Sequence, residues 1–245
     1  MRDWAGKRYW LVGASDGLGR AMAELLSRAG CEVILSARSE DKLNAVAGGL
    51  PGRSQVVPVD VSDSASVEAA AHAVGEIDGV VFLAGLATLF KTQDWDTEKT
   101  EQMLDVNLIG AARVVGRVIK PMVDRNAGHI VLIGSLSGYR GLPGAIGYSA
   151  SKAGLMSLAE SIHGDLKDTD ICVQLANPGY IDTQMQTDNP HAKPFMMTPE
   201  KSAQEVFDHM NTDSFHKAFP WGFGLLFRVS RFLPTGLYEA IFFQR

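Results

Sequence analysis

Short apolar stretches alternate with longer amphipathic stretches along most of the chain. The apolar stretches predict β-strands over residues 8–13, 32–37, 55–59, 79–84, 129–134, 171–176 and, as a short seventh strand, 216–219. The amphipathic stretches carry hydrophobic residues at helical spacing and predict helices over residues 17–29, 39–48, 62–75, 98–124, 147–167 and 199–210. Strands and helices are therefore expected to follow one another in regular order.

The stretch GVVFLA at residues 79–84 has no polar alternation, which is typical of a strand buried on both faces of a parallel sheet. Repeated strand–helix units connect parallel strands through right-handed crossovers. The pattern predicts an α/β fold with a doubly wound, mostly parallel, Rossmann-like sheet in a single domain over residues 1–218. In such sheets ligands bind beyond the carboxyl ends of the strands.

Composition narrows the function classes. The 245 residues are 46% hydrophobic and carry a formal net charge of −5, which offers no broad basic surface for nucleic acid. No apolar run reaches the ~20 residues that span a bilayer, and the start of the chain lacks a signal-peptide core, so we expect a cytoplasmic protein. Cys31 and Cys172 stand apart from each other and from any pair of histidines, which predicts buried, reduced thiols and no metal site.

A glycine-rich turn, VGASDGLGR, separates the first predicted strand from the first helix. Gly13, Gly17 and Gly19 allow a tight turn and a close approach of the backbone to a pyrophosphate, which the helix N-terminus also attracts. The intervening residues Ser15, Asp16 and Leu18 are candidate cofactor contacts with them. The turn therefore predicts a dinucleotide site.

The end of the second predicted strand bears on the choice of cofactor. Ala37 stands where an acidic residue would bind the ribose 2′-hydroxyl of NAD, and Arg38 follows it, which favours the 2′-phosphate of NADP. Asp16 argues the other way, because it can repel that phosphate or pair with Arg38. Asp60, with Val61 after the third strand, can bind the adenine amino group or cap the following helix. We expect NADP(H), with NAD(H) as an alternative.

Candidate catalytic groups cluster around the fifth strand. Tyr148 and Lys152 are four residues apart and share one face of a helix, where a lysine ammonium would lower the pKa of the tyrosine phenol. Ser135 ends the fifth strand and can hold a substrate oxygen near Tyr148. Asn107 falls inside a predicted helix, either facing solvent or recruited to the site.

A turn follows the sixth predicted strand in the sequence NPGYIDT. Pro178 and Gly179 force the turn at the carboxyl end of that strand. The backbone of Ile181 and the hydroxyl of Thr183 can then meet the carboxamide and the phosphates of a nicotinamide cofactor. The substrate pocket is expected between residues 86–90, 136–146 and 180–197, whose apolar side chains favour an apolar carbonyl or alcohol.

In chain order, these motifs resemble those of the short-chain dehydrogenase/reductase family over roughly residues 5–215. The matching elements are GASDGLG, Asp60, the pair Ala84 and Gly85, Asn107, Ser135, YSASK and the PGYIDT turn. The resemblance implies that Ser135, Tyr148 and Lys152 form a catalytic triad, that Asn107 joins a proton relay and that Lys152 also holds the nicotinamide ribose. It also implies a homodimer or homotetramer.

The chain departs from the family pattern at two places, and the second departure leaves another hypothesis open. Val12 stands where the family usually has threonine, and Phe82 and Leu83 replace a pair of asparagines before Ala84. The first hypothesis is an NADP(H)-dependent oxidoreductase that interconverts a ketone or aldehyde and an alcohol, mainly as a reductase. The alternative is a catalytically weak, cofactor-binding regulatory or scaffold protein of the same fold.

The extension over residues 219–245 is apolar and amphipathic. Its first stripe comprises Leu225, Leu226, Val229, Phe232 and Leu233, and its second comprises Leu237, Tyr238, Ile241 and Phe242. We expect these stripes to pack on the domain or at a subunit interface. Contact with a membrane surface is the less favoured interpretation.

Overall fold

The computed structural model describes residues 2–186 and 193–243 of the protein. The strands are β1 (Arg8–Val12), β2 (Glu32–Ser36), β3 (Ser54–Val56), β4 (Gly79–Phe82), β5 (Gly128–Ile133), β6 (Ile171–Pro178) and β7 (His216–Phe219). The α-helices are α1 (Gly17–Arg28), α2 (Glu40–Gly48), α3 (Ser64–Val74), α4 (Thr97–Leu104), α5 (Gly110–Asp124), α6 (Ile146–Leu166), α7 (Pro199–Met210), α8 (Trp221–Ser230) and α9 (Thr235–Phe242). Strands and helices alternate through most of the chain, as the sequence pattern predicts.

The strands form one parallel sheet in the order β3-β2-β1-β4-β5-β6-β7. The predicted doubly wound α/β sheet is therefore confirmed. The order reverses between β1 and β4, whose ends pair at Val12 and Phe82. A crevice beyond the carboxyl ends of these strands is the ordinary ligand site of such a sheet.

Both faces of the sheet are covered by helices, which explains the continuous apolar strands. Successive side chains of a strand point to opposite faces. Trp10 and Val12 of β1 lie in the core shared with α3, α5 and α6, whereas Tyr9 and Leu11 lie in the core shared with α1, α2 and α7. A polar side chain at any of these four positions would be buried, so polar alternation is absent.

The structure contains two helices, α4 and α5, where the sequence predicts one helix over residues 98–124. A wide π-helical turn, Asp105–Ile109, separates the two helices. The interruption places Asn107 inside the protein, where it has no exposed surface. Single π-turns within α-helices often occur at functional sites.

The C-terminal extension forms the short helices α8 and α9. Phe227 and Tyr238 are buried against the rest of the protein, but most of the predicted first stripe faces outward: Leu225, Leu226, Val229 and Phe232 are all exposed. These four side chains do not pack on the domain, and a subunit interface for them stays a prediction. Within residues 2–186 and 193–243, no helix is both long and apolar enough to cross a membrane.

Candidate active site

The glycine turn leaves no room for side chains. A Cβ atom on Gly13, whose φ is +101°, would lie 2.4 Å from the backbone nitrogen of Ala84, and one on Gly19 would lie 1.9 Å from the carbonyl oxygen of Gly13. The turn thus packs directly against the end of β4 and brings the start of α1 close to it. Bare backbone beside a helix N-terminus is what a pyrophosphate group requires.

Asp16 and Thr183 border the same turn. The Asp16 carboxylate caps α1 and accepts a 2.7 Å hydrogen bond from the Gly17 backbone N–H. No ion pair joins Asp16 to Arg38 in the described residues, so the suggested pairing of the two is wrong for this structure. On the other side, a Cβ atom on Gly17 would lie 2.7 Å from the Thr183 methyl group. The turn after β6 therefore reaches the glycine turn.

Arg38 is exposed at the end of β2 and acts electrostatically on Asp60. Hydrogen bonds from Ser62, with a smaller effect of the Arg38 charge, hold the pKa of the Asp60 carboxyl below its ordinary value. Asp63, not Asp60, caps α3 and accepts a bond from Ala65, so the capping interpretation of Asp60 is wrong. Asp60 remains a prediction for the adenine site.

Ser135 and Tyr148 meet where β5 ends and α6 begins. The Ser137 hydroxyl donates a 3.0 Å hydrogen bond to Ser135 Oγ, and the Ser137 backbone N–H donates another of 3.2 Å. Burial raises the pKa of the Tyr148 phenol above its ordinary value, and the nearby Ser135 hydroxyl opposes the rise. The predicted lowering of this pKa by Lys152 is therefore wrong, because burial dominates.

Lys152 lies one helical turn beyond Tyr148, and its ammonium group faces the phenol ring. Its ammonium donates a 2.9 Å hydrogen bond to the Ile133 carbonyl and lies 5.9 Å from the centre of the Tyr148 ring. The side chain is buried, and burial lowers its pKa to about 8. A Cβ atom on Gly85 would come within 3.7 Å of this ammonium, so Gly85 adjoins the cluster.

Asn107 is recruited to the site and does not face solvent. Its amide accepts a 2.7 Å hydrogen bond from the Leu86 N–H and donates one of 2.8 Å to the Leu86 carbonyl. A third bond of 2.9 Å goes to the hydroxyl of Ser151, which in turn donates to the Tyr148 carbonyl at 2.8 Å. Asn107 thus ties the loop after β4 to the helix that carries the tyrosine.

The turn after β6 is braced from two sides. Pro178 ends β6 opposite Phe219, and the Gly179 N–H donates to the Phe219 carbonyl at 2.8 Å. Ile181 pairs with Met197 in an isolated bridge that closes the base of the following loop. Part of the expected pocket wall, residues 187–192, lies outside the described residues.

Val61, the candidate cofactor contact after the third strand, packs against Gly110 of α5, and its backbone carbonyl accepts a hydrogen bond from Arg113.

Several contacts around the site were not predicted. Ser137 donates a hydrogen bond to Ser135, and Ser151 accepts one from Asn107. The contact of Ser137 could have been suspected from the sequence, because its hydroxyl stands only two residues beyond Ser135. Arg140 donates 2.8 Å hydrogen bonds to the carbonyls of Ser230 and Leu233. Because these partners are some ninety residues away in the chain, local sequence pattern could not reveal the bond.

Comparisons with known proteins agree with this geometry. The family model described as short chain dehydrogenase matches residues 7–194. An uncharacterised oxidoreductase of Myxococcus xanthus is 31% identical over 247 aligned residues, which cover 98% of each chain. A solved short chain dehydrogenase/reductase family protein has a TM-score of 0.82 and 26% identity, covering 89% of this chain and 97% of its own. An actinorhodin polyketide ketoreductase solved with NADPH has a TM-score of 0.82 and 25% identity, covering 91% of this chain and 99% of its own.

The parallel sheet, the glycine turn and the cluster around Tyr148 define a dinucleotide-binding class of α/β protein. The family model covers well over half of the chain. The chain therefore belongs to the short-chain dehydrogenase family of oxidoreductases. Among the residues that the structure describes, no group of three or more potential metal ligands is present.

Proposed function

We propose that the protein reduces an apolar ketone or aldehyde to an alcohol with NADP(H). The supporting observation is the cluster at the carboxyl ends of the strands, where the Ser135 hydroxyl is near enough to the Tyr148 phenol to lower its pKa and the buried Lys152 lies one helical turn away. Two hydroxyls and an ammonium so placed suit proton transfer to a carbonyl oxygen.

The structure fits the cofactor, because the glycine turn offers the close backbone approach that a pyrophosphate needs. Gly13, Gly17 and Gly19 would hold the pyrophosphate with Thr183 on the opposite side. Gly85 and Lys152 would border the nicotinamide ribose. Bound there, the cofactor would supply the hydride.

The raised pKa of Tyr148 suits the role of proton donor that a carbonyl reduction requires. Because burial raises this pKa, the phenol is protonated at neutral pH and can give its proton to a carbonyl oxygen. Ser135 would donate a hydrogen bond to the same oxygen as negative charge develops there. Ser137 supports this role because its hydroxyl donates to Ser135 Oγ and leaves the Ser135 proton free to point elsewhere.

The choice of NADP(H) rests on Arg38. Its guanidinium is exposed beside the predicted adenosine site and can make charge-assisted hydrogen bonds to a 2′-phosphate. Asp16, the residue that argues for NAD(H), is the cap of α1. The ketoreductase similar to this chain was solved with NADPH. NAD(H) is the alternative cofactor.

The preference for an apolar substrate rests on the walls of the site. The Met185 methyl group lies 3.5 Å from where a Cβ of Gly85 would be. Leu136 and Phe223 lie within 3.4 Å of the corresponding position at Gly179. These side chains would contact the part of the substrate away from the carbonyl.

Replacement of the tyrosine tests the proposal. Tyr148→Phe should lower kcat for reduction of apolar ketones and aldehydes by at least about a hundredfold, because the proton donor is lost. NADPH binding, followed by its fluorescence, should be unchanged. Tyr9→Phe is the control, since Tyr9 is also buried but bonds to His129 in the core, and it should keep the wild-type rate.

Absence of turnover in the wild-type protein across a panel of carbonyls and alcohols, with NADPH still bound, would contradict an enzymatic role. That outcome would instead favour the regulatory or scaffold alternative, whose sequence support is Phe82 and Leu83 in place of the usual pair of asparagines.

A further inference from the structure

Helices α8 and α9 expose an unusual number of large apolar side chains. We call the surface formed by these side chains the C-terminal face; its members are Trp221, Leu225, Leu226, Val229, Phe232, Leu237, Ile241 and Phe243. Trp221 is 80% exposed and Phe232 is 86% exposed. Exposed apolar patches of this kind mark interaction sites.

The side chains of α8 show that this exposure is a property of a whole helix face. Trp221, Leu225 and Val229 are spaced four residues apart and follow one side of the helix, which is exposed. Phe227 and Ser230 lie on the other side and are buried. A helix that is hydrophobic all round is normally buried on all sides. The outward side of α8 therefore lacks a partner within the described chain.

Helix α9 repeats the arrangement. Tyr238 is buried and stacks on Phe242, while Leu237 and Ile241 are exposed one helical turn apart. Both helices thus present buried aromatic residues to the protein and large apolar residues to the outside. The two short helices are in contact through the rings of Phe227 and Phe242, whose centres are 5.3 Å apart.

The charges around the face identify the kind of partner. Residues 219–243 contain two arginines and a single glutamate, in a chain whose formal net charge is −5. Arg228 and Arg231 are exposed beside the apolar row of α8. Apolar helices with tryptophan and phenylalanine on one side and arginine at its border are typical of peptides that lie in the headgroup region of anionic bilayers.

We propose that the C-terminal face is a docking surface for an anionic phospholipid bilayer. The exposed aromatic and aliphatic side chains would enter the boundary between headgroups and acyl chains, and the arginines would contact lipid phosphates. The proposal goes beyond the proposed reaction and does not depend on it, because binding to vesicles is measured without cofactor or substrate.

The position of the face gives docking a consequence for the site. Phe223 of α8 contacts the ring of Phe195 at 5.6 Å and that of Tyr180 at 6.3 Å. Phe195 and Met196 are themselves exposed and extend the apolar surface along the loop after β6. A bilayer on the C-terminal face would therefore adjoin the wall of the substrate pocket.

Sedimentation with vesicles tests the proposal. The full-length protein is mixed with vesicles of phosphatidylcholine containing phosphatidylglycerol, or with vesicles of phosphatidylcholine alone. We expect binding to the anionic vesicles, weaker binding to the neutral ones and a loss of binding as salt is raised. The double variant Trp221→Gln with Phe232→Gln should lower the partition coefficient at least about tenfold.

Two further variants separate the apolar and charged contributions. Arg228→Gln with Arg231→Gln should reduce binding to anionic vesicles while leaving the residual binding to neutral vesicles unchanged. Val229→Gln on α8 should weaken binding, whereas the matched control Val123→Gln on α5, where the side chain is equally exposed, should not: the exposed fractions are 47% and 48%. Circular dichroism of each variant should match that of the wild type.

Three outcomes would overturn the proposal. The first is no sedimentation of the wild-type protein with anionic vesicles. The second is unchanged binding in the double variant. The third is a wild-type oligomer, seen by analytical ultracentrifugation without lipid, that the double variant converts to monomer in the absence of any vesicle binding, which would make the face a contact between copies of this chain.

Discussion

The Lys152 ammonium donates its 2.9 Å hydrogen bond to the Ile133 carbonyl, on the strand next to the site, while the phenol ring of Tyr148 lies above it. A buried ammonium with a single backbone partner is a cost to folding, because a neutral carbonyl only partly replaces water. Lys152 is therefore expected to be retained for function at the expense of stability.

Lys152→Met should stabilise the protein while it abolishes carbonyl reduction. We expect a gain of about 1–3 kcal/mol in the free energy of unfolding, since an apolar side chain of similar length replaces a desolvated charge. Chemical denaturation measures the gain. Because burial lowers the pKa of Lys152, the gain should be complete below pH 8 and shrink as the pH rises toward the ordinary lysine value. An equal gain at every pH would contradict this cause.

The same ionisation should appear in the rate. Because the pKa of Lys152 is about 8, its amine loses its charge as the pH rises through that value. The pKa of Tyr148 is raised, so the phenol keeps its proton to higher pH. The kcat/KM for carbonyl reduction should therefore decline as the pH rises through about 8. Initial rates at constant ionic strength measure it, with circular dichroism at each pH to show that the fold persists. A profile that stays flat to pH 10 would exclude a requirement for the ammonium.

Gly19 provides a test of the proposed pyrophosphate site in the glycine turn. Gly19→Ala would place a Cβ atom 1.9 Å from the Gly13 carbonyl oxygen, so the glycine turn must shift away from α1. We expect a loss of about 1–3 kcal/mol in stability and of most NADPH affinity. Gly116→Ala in α5 is the control, because nothing lies within 4 Å of its Cβ position. Gly116→Ala should bind NADPH normally. Equal NADPH affinities of the two variants would contradict a pyrophosphate site in the glycine turn.

Arg38 provides a test of the proposed preference for NADP(H). Arg38→Gln should weaken NADPH about ten- to a hundredfold and leave NADH nearly unchanged, because only the charge-assisted contact to the 2′-phosphate is removed. Fluorescence titration with both reduced cofactors measures the two affinities. Arg28→Gln at the end of α1 is the control, since it removes an exposed arginine paired with Glu24. Parallel losses for NADPH and NADH would exclude a 2′-phosphate contact.

The elements of the sheet were predictable because their signals are local. Strands buried on both faces show as unbroken apolar runs, and the glycine turn is a short motif between a strand and a helix. The π-turn at Asp105–Ile109 was not predictable, because DVNLIG is compatible with a regular helix. Its cause is tertiary: the Asn107 amide finds the backbone of Leu86, which is distant in sequence.

The site shows the same division between local and distant causes. The four-residue spacing of Tyr148 and Lys152 predicts that they share a helix face. It does not predict the acceptor of the ammonium, nor that burial decides the pKa of the phenol. In the extension, α8 carries apolar residues on all of its sides. Helical periodicity therefore could not show that Phe227 faces inward and Leu225 outward.

The wide turn around Asn107 also bears on how this region can change in length. A π-turn holds more residues than a regular α-helical turn, so the segment between α4 and α5 contains a surplus. Removal of one residue there would let the two helices fuse into a regular one and rotate the amide away from Leu86. This stretch should therefore tolerate exchange of its outward side chains far better than shortening, whereas surface loops ordinarily accept both.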